Sequence, residues 1–141
     1  KKHYSKAALW KNTTNVPFIV IAPGLTKENS SSKQPISHVD IYPTLCELAN
    51  LKLPVHLDGK SIVPIIKDPK HQRQYAFLSY GPENTAIQSE RYRLIRYEDG
   101  SEELYDHQKD PNEWQNLAKS AEYKTLKETL KKSLLDFQKI K

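Results

Sequence analysis

The chain has 141 residues, of which 37% are hydrophobic and 28% are charged, a balance that leaves room for one compact domain or for parts of two. Its 22 Lys and Arg exceed its 17 Asp and Glu and give a formal net charge of +5, but the basic residues are scattered and interleaved with acidic ones. A nucleic-acid-binding protein concentrates positive charge on one stripe, so no nucleic-acid partner is expected, and such binding remains a minor alternative.

The chain begins with a polar, basic segment. Residues 1–4 (KKHY) lack the apolar stretch of a secretory signal, so they predict no targeting signal. No apolar run in the sequence approaches the ~20 residues that a membrane-spanning helix needs, and no membrane partner is expected. Because the sequence starts without Met in a polar segment that leads into an apolar run, it is interpreted as a cut piece or a processed product.

The first predicted element is a strand. Residues 16–22 (VPFIVIA) form a continuous apolar run that Pro23 and Gly24 close. Such a run is typical of a strand buried on both faces, inside a sheet with covering helices.

The next element is an amphipathic helix. Residues 37–50 carry apolar side chains at helical spacing, and Ser37 is the predicted N-cap. A short apolar stretch, residues 61–66, precedes a polar stretch that indicates a boundary. We therefore predict two regions, residues 1–70 and residues 71–141.

Four short strands are predicted in the second half of the chain, in residues 75–80, 85–89, 91–98 and 102–106. Asp99 and Gly100 lie between the last two strands, and this dipeptide favours the positive φ angles of a tight hairpin turn. The strands therefore predict an antiparallel sheet. The final segment predicts an amphipathic helix that packs on this sheet. The apolar residues of its inner face are Tyr123, Leu126, Leu130, Leu134 and Phe137.

Few side chains suggest chemistry by themselves. Cys46, the single cysteine, excludes an internal disulfide, and core packing is favoured over a nucleophilic role because no neighbouring residue looks like a base. His38 and Asp40 could be metal ligands in principle, but capping of the helix start explains an Asp there without a metal. The acidic and histidine side chains in residues 106–110 invite the same two interpretations, and turn chemistry is favoured.

Basic side chains also cluster in residues 1–6, ahead of the apolar run. Such cations can bind an anionic substrate or can simply be solvated, and the residues alone favour solvation. The chemistry of the residues alone does not identify a reaction.

Three stretches of the sequence form an ordered set of motifs. The first is KKHYSKAALW with NVPFIV and PG (residues 1–24), the second is HVDIYPTLCELA with LDGKS (residues 38–61), and the third is RYRLIRY, ELYD, DPNEW and NLA (residues 91–118). In this order they resemble landmarks in the C-terminal part of type I, formylglycine-dependent sulfatases, especially the iduronate 2-sulfatase-like group. The third stretch is the most specific, and the resemblance spans nearly the whole chain.

The resemblance implies an α/β fold, namely the C-terminal part of an alkaline phosphatase-like sulfatase fold. Residues 1–70 would be the C-terminal end of the large α/β domain. Residues 71–141 would form a small C-terminal subdomain made of an antiparallel sheet and a helix.

The resemblance also implies where the chemistry lies. Family members hydrolyse sulfate esters with a formylglycine made from a Cys or Ser, beside a calcium ion, and this sequence lacks the motif that carries the formylglycine. Formylglycine and the Ca²⁺ ligands are therefore implied to lie outside this chain. Lys6 matches the lysine that contacts the sulfate group, which makes it the implied catalytic and substrate-binding residue, because an ammonium can neutralise charge on sulfuryl and leaving-group oxygens. His3 is a second substrate-binding candidate.

The leading hypothesis is therefore part of a sulfatase, a sulfuric ester hydrolase, that acts on sulfated sugars or polysaccharides and is inactive without its N-terminal part. Its expected partners are that part and a sulfated carbohydrate. Its expected location is periplasmic or secreted, or lysosomal in a eukaryote. The alternative is a non-catalytic carbohydrate-binding or interaction domain derived from the same fold. A phosphoryl-transfer relative is a third alternative, which the motifs in residues 103–118 disfavour.

Overall fold

The computed structural model describes residues 7–139, with only the backbone of Lys139. Its helices and strands are, in chain order, α1 (Lys11–Thr14), α2 (Ile41–Leu48), α3 (Val63–Lys67), β1 (Ala76–Tyr80), β2 (Asn84–Gln88), β3 (Tyr92–Arg96), β4 (Glu102–Asp106) and α4 (Lys124–Lys139).

These elements belong to two compact units. The helical unit is Phe18–Ala76, and the sheet unit combines the segment that ends at Pro17 with the segment that begins at Phe77. The predicted boundary after residue 70 lies close to the end of the helical unit, but the described residues before Phe18 group with the second half of the chain. That residues 1–70 complete a large α/β domain stays a prediction.

The sheet unit is built on a four-stranded sheet in the order β1-β2-β3-β4. β3 pairs antiparallel with both β2 and β4, which places Leu94 opposite Ile87 on one side and opposite Leu104 on the other. All three side chains are fully buried. Because side chains alternate along a strand, Ala86 and Ile95 face the other side of the sheet. The predicted antiparallel arrangement is confirmed for these strands.

Both faces of this sheet are covered within the sheet unit. α4 packs on β2 and β3 and buries Leu130 and Leu134, which confirms the predicted closing helix. On the opposite face, Leu9 is buried in a cluster with Ile95 and Tyr105. β2 and β3 are buried on both faces because α4 lies on one side and the segment around Leu9 lies on the other.

The β3–β4 connection turns at Gly100, as predicted. Gly100 has a φ of +81°, and its backbone nitrogen donates to the oxygen of Tyr97 at 3.0 Å. The carboxylate of Asp99 accepts a hydrogen bond of 2.8 Å from the nitrogen of Ser101. A positive φ strains every residue with a Cβ, so the glycine lets the chain reverse here.

In the helical unit, a turn of 3₁₀ helix, His38–Asp40, leads into α2. Ser37 and Asp40 form a capping box, in which the Ser37 nitrogen donates to Asp40 Oδ2 at 2.6 Å. The predicted capping is therefore confirmed. The same buried carboxylate accepts from the nitrogen of Lys60 at 2.9 Å and from both terminal nitrogens of Arg73 at 2.7 and 3.0 Å. Asp40 thus joins the start of α2 to two later segments.

A close backbone approach lies beside this carboxylate. A Cβ added to Gly59 would come within 2.0 Å of the main-chain oxygen of Val39, so only glycine fits at this position. Nearby, α3 contributes Ile65 and Ile66 to a small buried cluster with Ile62.

The prediction of a buried strand in residues 16–22 is wrong for this structure. The segment forms no strand, and Ile19 and Ile21 are each 84% exposed. Only one side is covered, where Val20 packs against the Ile62 cluster. A strand needs a neighbouring strand to satisfy its backbone groups, and within residues 7–139 no strand pairs with this segment.

Candidate functional site

The two residues that the resemblance implies for substrate binding, Lys6 and His3, lie outside the described residues. The description begins at Ala7, the next residue after Lys6 in the sequence. We call residues 7–14 the anchor segment. Its contacts with the sheet define the candidate site.

The anchor segment lines a cavity of about 690 Å³ in the sheet unit. Residues 7–10 form one part of the wall, and Tyr80, Tyr97 and Glu103 are among the residues that form the rest. Aromatic and apolar walls with a few polar groups are typical of small-molecule sites. The cavity wall thus begins at the first described residue, Ala7, which follows Lys6 in the sequence.

Glu103 holds the side chain of Trp10 at this wall. Its Oε2 accepts a hydrogen bond of 2.6 Å from Trp10 Nε1 and another of 2.8 Å from the hydroxyl of Tyr105. Burial raises the pKa of Tyr97 and of Tyr105 well above the ordinary value, and the charge of Glu103 raises both further. The phenols therefore stay protonated, which keeps them available as hydrogen-bond donors.

Arg93 holds the backbone of the anchor segment. Its side chain is only 5% exposed, and its Nη1 donates to the main-chain oxygen of Leu9 and, at 2.9 Å, to Oγ1 of Thr14. Its Nε donates to Oε1 of Gln88 at 2.6 Å and lies 3.3 Å from Oε1 of Glu113. Nη1 thus contacts a residue just before α1 and the last residue of α1. Nε contacts Gln88 and Glu113 instead, which one guanidinium can do because its donors point in several fixed directions.

Glu113 completes the contact with the anchor segment from the loop after β4. Its Oε2 accepts a hydrogen bond of 2.8 Å from the backbone nitrogen of Lys11, the first residue of α1, and its Oε1 lies 2.8 Å from Nε2 of His107. The backbone of Glu113 has a φ of +57°, an uncommon conformation for a residue with a Cβ. The surrounding contacts therefore impose this conformation on the loop.

The charges of this buried pair support each other. Burial by itself would raise the pKa of Glu113, but the hydrogen bond from His107, the charge of Arg93 and the nitrogen of Lys11 together hold it below its ordinary value. Burial lowers the pKa of Arg93, and the charge of Glu113 opposes that change. Each side chain thus stabilises the charged form of the other in a place where an isolated charge would be costly.

These contacts fix the position of the anchor segment and do not form a reaction centre. Arg93 and Glu113 contact the anchor segment and each other, and Glu103 contacts the side chain of Trp10. Their remaining hydrogen bonds go to neighbouring side chains of the sheet unit. Sequence reasoning included these residues in the third set of motifs but assigned them no role. The available signal was that Arg93 lies two residues before Ile95 on β3 and so shares a buried sheet face with it, where a charge needs a partner.

The other side chains considered from sequence take structural roles. Cys46 is buried, in agreement with core packing. Both carboxylate oxygens of Asp106 accept from the guanidinium of Arg91, at 2.8 and 2.6 Å, and Asp110 accepts a hydrogen bond of 2.7 Å from the nitrogen of Gln115. The favoured interpretation as turn chemistry agrees with the hydrogen bonds that Asp106 and Asp110 accept from backbone nitrogens that follow them, whereas His107 contacts Glu113.

The described residues do not fit a calcium site. Among them, no group of three His, Cys, Asp or Glu side chains comes together as metal ligands. The most buried carboxylate of the helical unit, Asp40, already accepts hydrogen bonds on both oxygens.

Within residues 7–139, no helix is long and apolar enough to span a bilayer.

The family of this chain follows from comparison with known proteins. The model of a family described as "N-sulphoglucosamine sulphohydrolase, C-terminal" matches residues 1–140. A sulfatase of Formosa agariphila is 39% identical to this chain over 132 residues, which cover 93% of this chain and 26% of the relative. A Delta 4,5-hexuronate-2-O-sulfatase of Bacteroides thetaiotaomicron is 34% identical over 138 residues, covering 86% of this chain and 27% of the relative.

The solved structures agree. A structure described as BT4656 in complex with its substrate D-glucosamine-2-N,6-O-disulfate superimposes with a TM-score of 0.71 at 28% identity, over 84% of this chain and 27% of that one. The predicted fold class is confirmed by this similarity. The chain spans about a quarter of the length of the curated relatives that it matches. The chain belongs to the sulfatase family and matches the C-terminal domain of its members.

Proposed function

We propose that this chain is part of a sulfatase that hydrolyses sulfate esters of sulfated sugars or polysaccharides. The family match over residues 1–140 is the observation that carries the proposal. The printed names of relatives support the substrate class, because one is a hexuronate-2-O-sulfatase and another was solved with a sulfated glucosamine.

Lys6 is the residue proposed to contact the sulfate group, and His3 is proposed to contact the substrate beside it. An ammonium favours the transition state of sulfate-ester hydrolysis because negative charge grows on the leaving-group oxygen as the bond to sulfur breaks. The described residues support this role indirectly, since the segment that follows Lys6 is held by three buried or half-buried anchors.

The nucleophile and the metal are proposed to come from an N-terminal part. The formylglycine that the resemblance implies would supply the nucleophile, and a Ca²⁺ ion would supply positive charge. Neither has ligands or a motif among the described residues, so both are assigned to residues outside this chain. The isolated chain is therefore expected to be inactive as a sulfatase.

The helical unit supports the need for such a part. Ile19, Ile21 and Val55 are more than four-fifths exposed, and Tyr42 and Leu45 of α2 are more than half exposed. Apolar side chains in this number are usually covered by another protein surface. We propose that the N-terminal part covers them. A periplasmic or secreted location, or a lysosomal one in a eukaryote, fits an enzyme of sulfated glycans.

The test is Lys6→Ala in the complete enzyme, with Lys2→Ala as the matched control from the same basic segment. Turnover of a sulfated disaccharide should fall by roughly 10²–10³-fold in Lys6→Ala, which is the usual cost of losing one charge-stabilising donor. Turnover in Lys2→Ala should be close to that of the parent enzyme. Near-normal turnover of Lys6→Ala would contradict the proposed site.

A second candidate function is a non-catalytic carbohydrate-binding domain. The cavity walls, which include Trp10, Tyr80 and Tyr97, favour it because aromatic rings present broad apolar faces to a sugar. Calorimetric titration of the purified chain with sulfated oligosaccharides separates the two functions. Stable monomeric chain that binds the sugar would favour the binding domain, whereas aggregation without binding would favour the sulfatase.

A further inference from the structure

We infer that Arg93 and Glu113 are positioning residues, which hold the anchor segment so that Lys6 stands in the right place against the sulfate ester. The inference deepens the proposed function and rests on it. Arg93 and Glu113 are not assigned any contact with the substrate. Their effect on the reaction is transmitted through the backbone of residues 9–14.

The first step is the distance along the chain. Leu9 is three residues after Lys6, and three residues span at most about 10 Å even when fully extended. A hydrogen bond to the main-chain oxygen of Leu9 therefore limits the positions that Lys6 can take. Arg93 makes that hydrogen bond from a strand in the centre of the sheet.

The second step is the number of directions in which the anchor segment is held. Arg93 contacts the oxygen of Leu9 and the side chain of Thr14, and Glu113 contacts the nitrogen of Lys11. The side chain of Trp10 is held separately by Glu103. Four points of contact on a short segment leave it little freedom to slide or rotate on the sheet.

The third step is why ionic residues are used for this purpose. Leu9 is buried in an apolar cluster, which fixes how deep the segment lies but not its position along the strands. Hydrogen bonds are directional, so Arg93 and Glu113 add the position that apolar contact leaves open. The two side chains are 5% and 2% exposed, so solvent does not weaken the contact.

The test compares two arginines, Arg91 and Arg93, that lie two positions apart in the sequence. Arg93→Lys keeps the positive charge, but a single ammonium cannot replace both Nη1, which contacts Leu9 and Thr14, and Nε, which contacts Gln88 and Glu113. Arg91→Lys is the matched control, since Arg91 also forms a forked contact with a buried carboxylate, that of Asp106, but does not contact the anchor segment. Both variants are made in the complete enzyme and assayed on a sulfated disaccharide.

We expect kcat to fall by about 10²-fold in Arg93→Lys with KM little changed, because a misplacement of about 1 Å costs a factor of this size. Arg91→Lys should keep the parent kcat. The double variant Lys6→Ala/Arg93→Lys should be no slower than Lys6→Ala alone, since Arg93 acts through Lys6. A purely structural role would not produce this lack of additivity.

Several outcomes would overturn the inference. Equal kcat values for Arg93→Lys and Arg91→Lys would overturn it, as would losses that multiply in the double variant. Those results would leave the role of Lys6 intact, whereas normal turnover of Lys6→Ala would remove the proposed site and the inference together. If Arg93→Lys does not fold, Thr14→Val decides: it deletes one acceptor of Arg93, should lower kcat several-fold, and a parent-like kcat would overturn the inference.

Discussion

Arg93 donates a hydrogen bond to the main-chain oxygen of Leu9, a residue that lies 84 positions earlier in the chain. Glu113 accepts one from the nitrogen of Lys11, 102 positions away. These two contacts join the beginning of the chain to its second half. Because Arg93, Leu9 and Glu113 are buried, each contact has consequences for stability that can be measured apart from activity.

The first prediction concerns acid stability. The pKa of Glu113 lies below its ordinary value of 4.5, so its contribution to stability is complete above that value and is lost as the pH falls through the folded-state pKa. Glu113→Gln should lower the free energy of unfolding at pH 7 by about 1–3 kcal/mol and should flatten the loss of stability below pH 4.5. Urea unfolding at a series of pH values measures both effects.

The exposed acid Glu122 provides the control, since its side chain is 71% exposed. Glu122→Gln should leave the pH dependence of the parent unchanged. Asp106 and Glu102 also have lowered pKa values, so some acid sensitivity must remain in Glu113→Gln. An acid limb identical to that of the parent protein would contradict the assignment.

The second prediction concerns the close approach at Gly59. A Cβ there would meet the backbone oxygen of Val39 at 2.0 Å, and backbone cannot rotate away as a side chain can. Gly59→Ala should cost about 1–3 kcal/mol, measured by hydrogen exchange in α2. Gly24→Ala is the control, because a Cβ at Gly24 meets nothing within 4 Å and only the positive φ of +79° is strained. Equal protection of α2 in both variants would argue against the clash.

The third prediction concerns the helix that covers the sheet. Leu134 is 1% exposed and its neighbour Leu135 is 36% exposed. Leu134→Ala should lower the free energy of unfolding by about 2–5 kcal/mol, because it removes apolar contact and leaves a cavity. The same truncation at Leu135 should change it by about 0.5 kcal/mol or less. Similar thermal midpoints for the two variants would mean that α4 does not pack as described.

The fourth prediction concerns the buried carboxylate of the helical unit. Asp40→Ala leaves the guanidinium of Arg73 without its partner and removes the cap of α2, so we expect a loss of about 3–5 kcal/mol. Glu47→Ala, on the exposed side of the same helix, is the control and should be near neutral. Hydrogen exchange in α2 measures the change in stability that each of the two substitutions causes. Retained protection in Asp40→Ala would show that the ion pair contributes little.

Local patterns were sufficient to predict most elements. The four strands were predicted within a few residues because alternating side chains and the Asp99–Gly100 turn act over short distances. The capping by Asp40 was predicted for the same reason, since Ser37 is only three residues away. The closing helix followed from the spacing of its apolar residues.

The failures share one physical cause, which is dependence on distant partners. Residues 16–22 have the composition of a buried strand, but burial and pairing depend on neighbouring strands that a local pattern does not contain. The roles of Arg93 and Glu113 were missed because their partners are about 80 to 100 residues away in the sequence. A charge on the buried face of a strand indicates that a partner exists, but it does not identify that partner.

The sheet unit draws on both ends of the described chain, and this affects the order in which it can fold. The segment that ends at Pro17 can reach its place on the sheet only after β2, β3 and β4 have been synthesised. Until then the cluster around Ile95 and Tyr105 has no cover, and closing the long intervening loop costs chain entropy. Non-local closure of this kind slows folding, so the growing polypeptide passes through a stage in which an apolar sheet face is open to other chains.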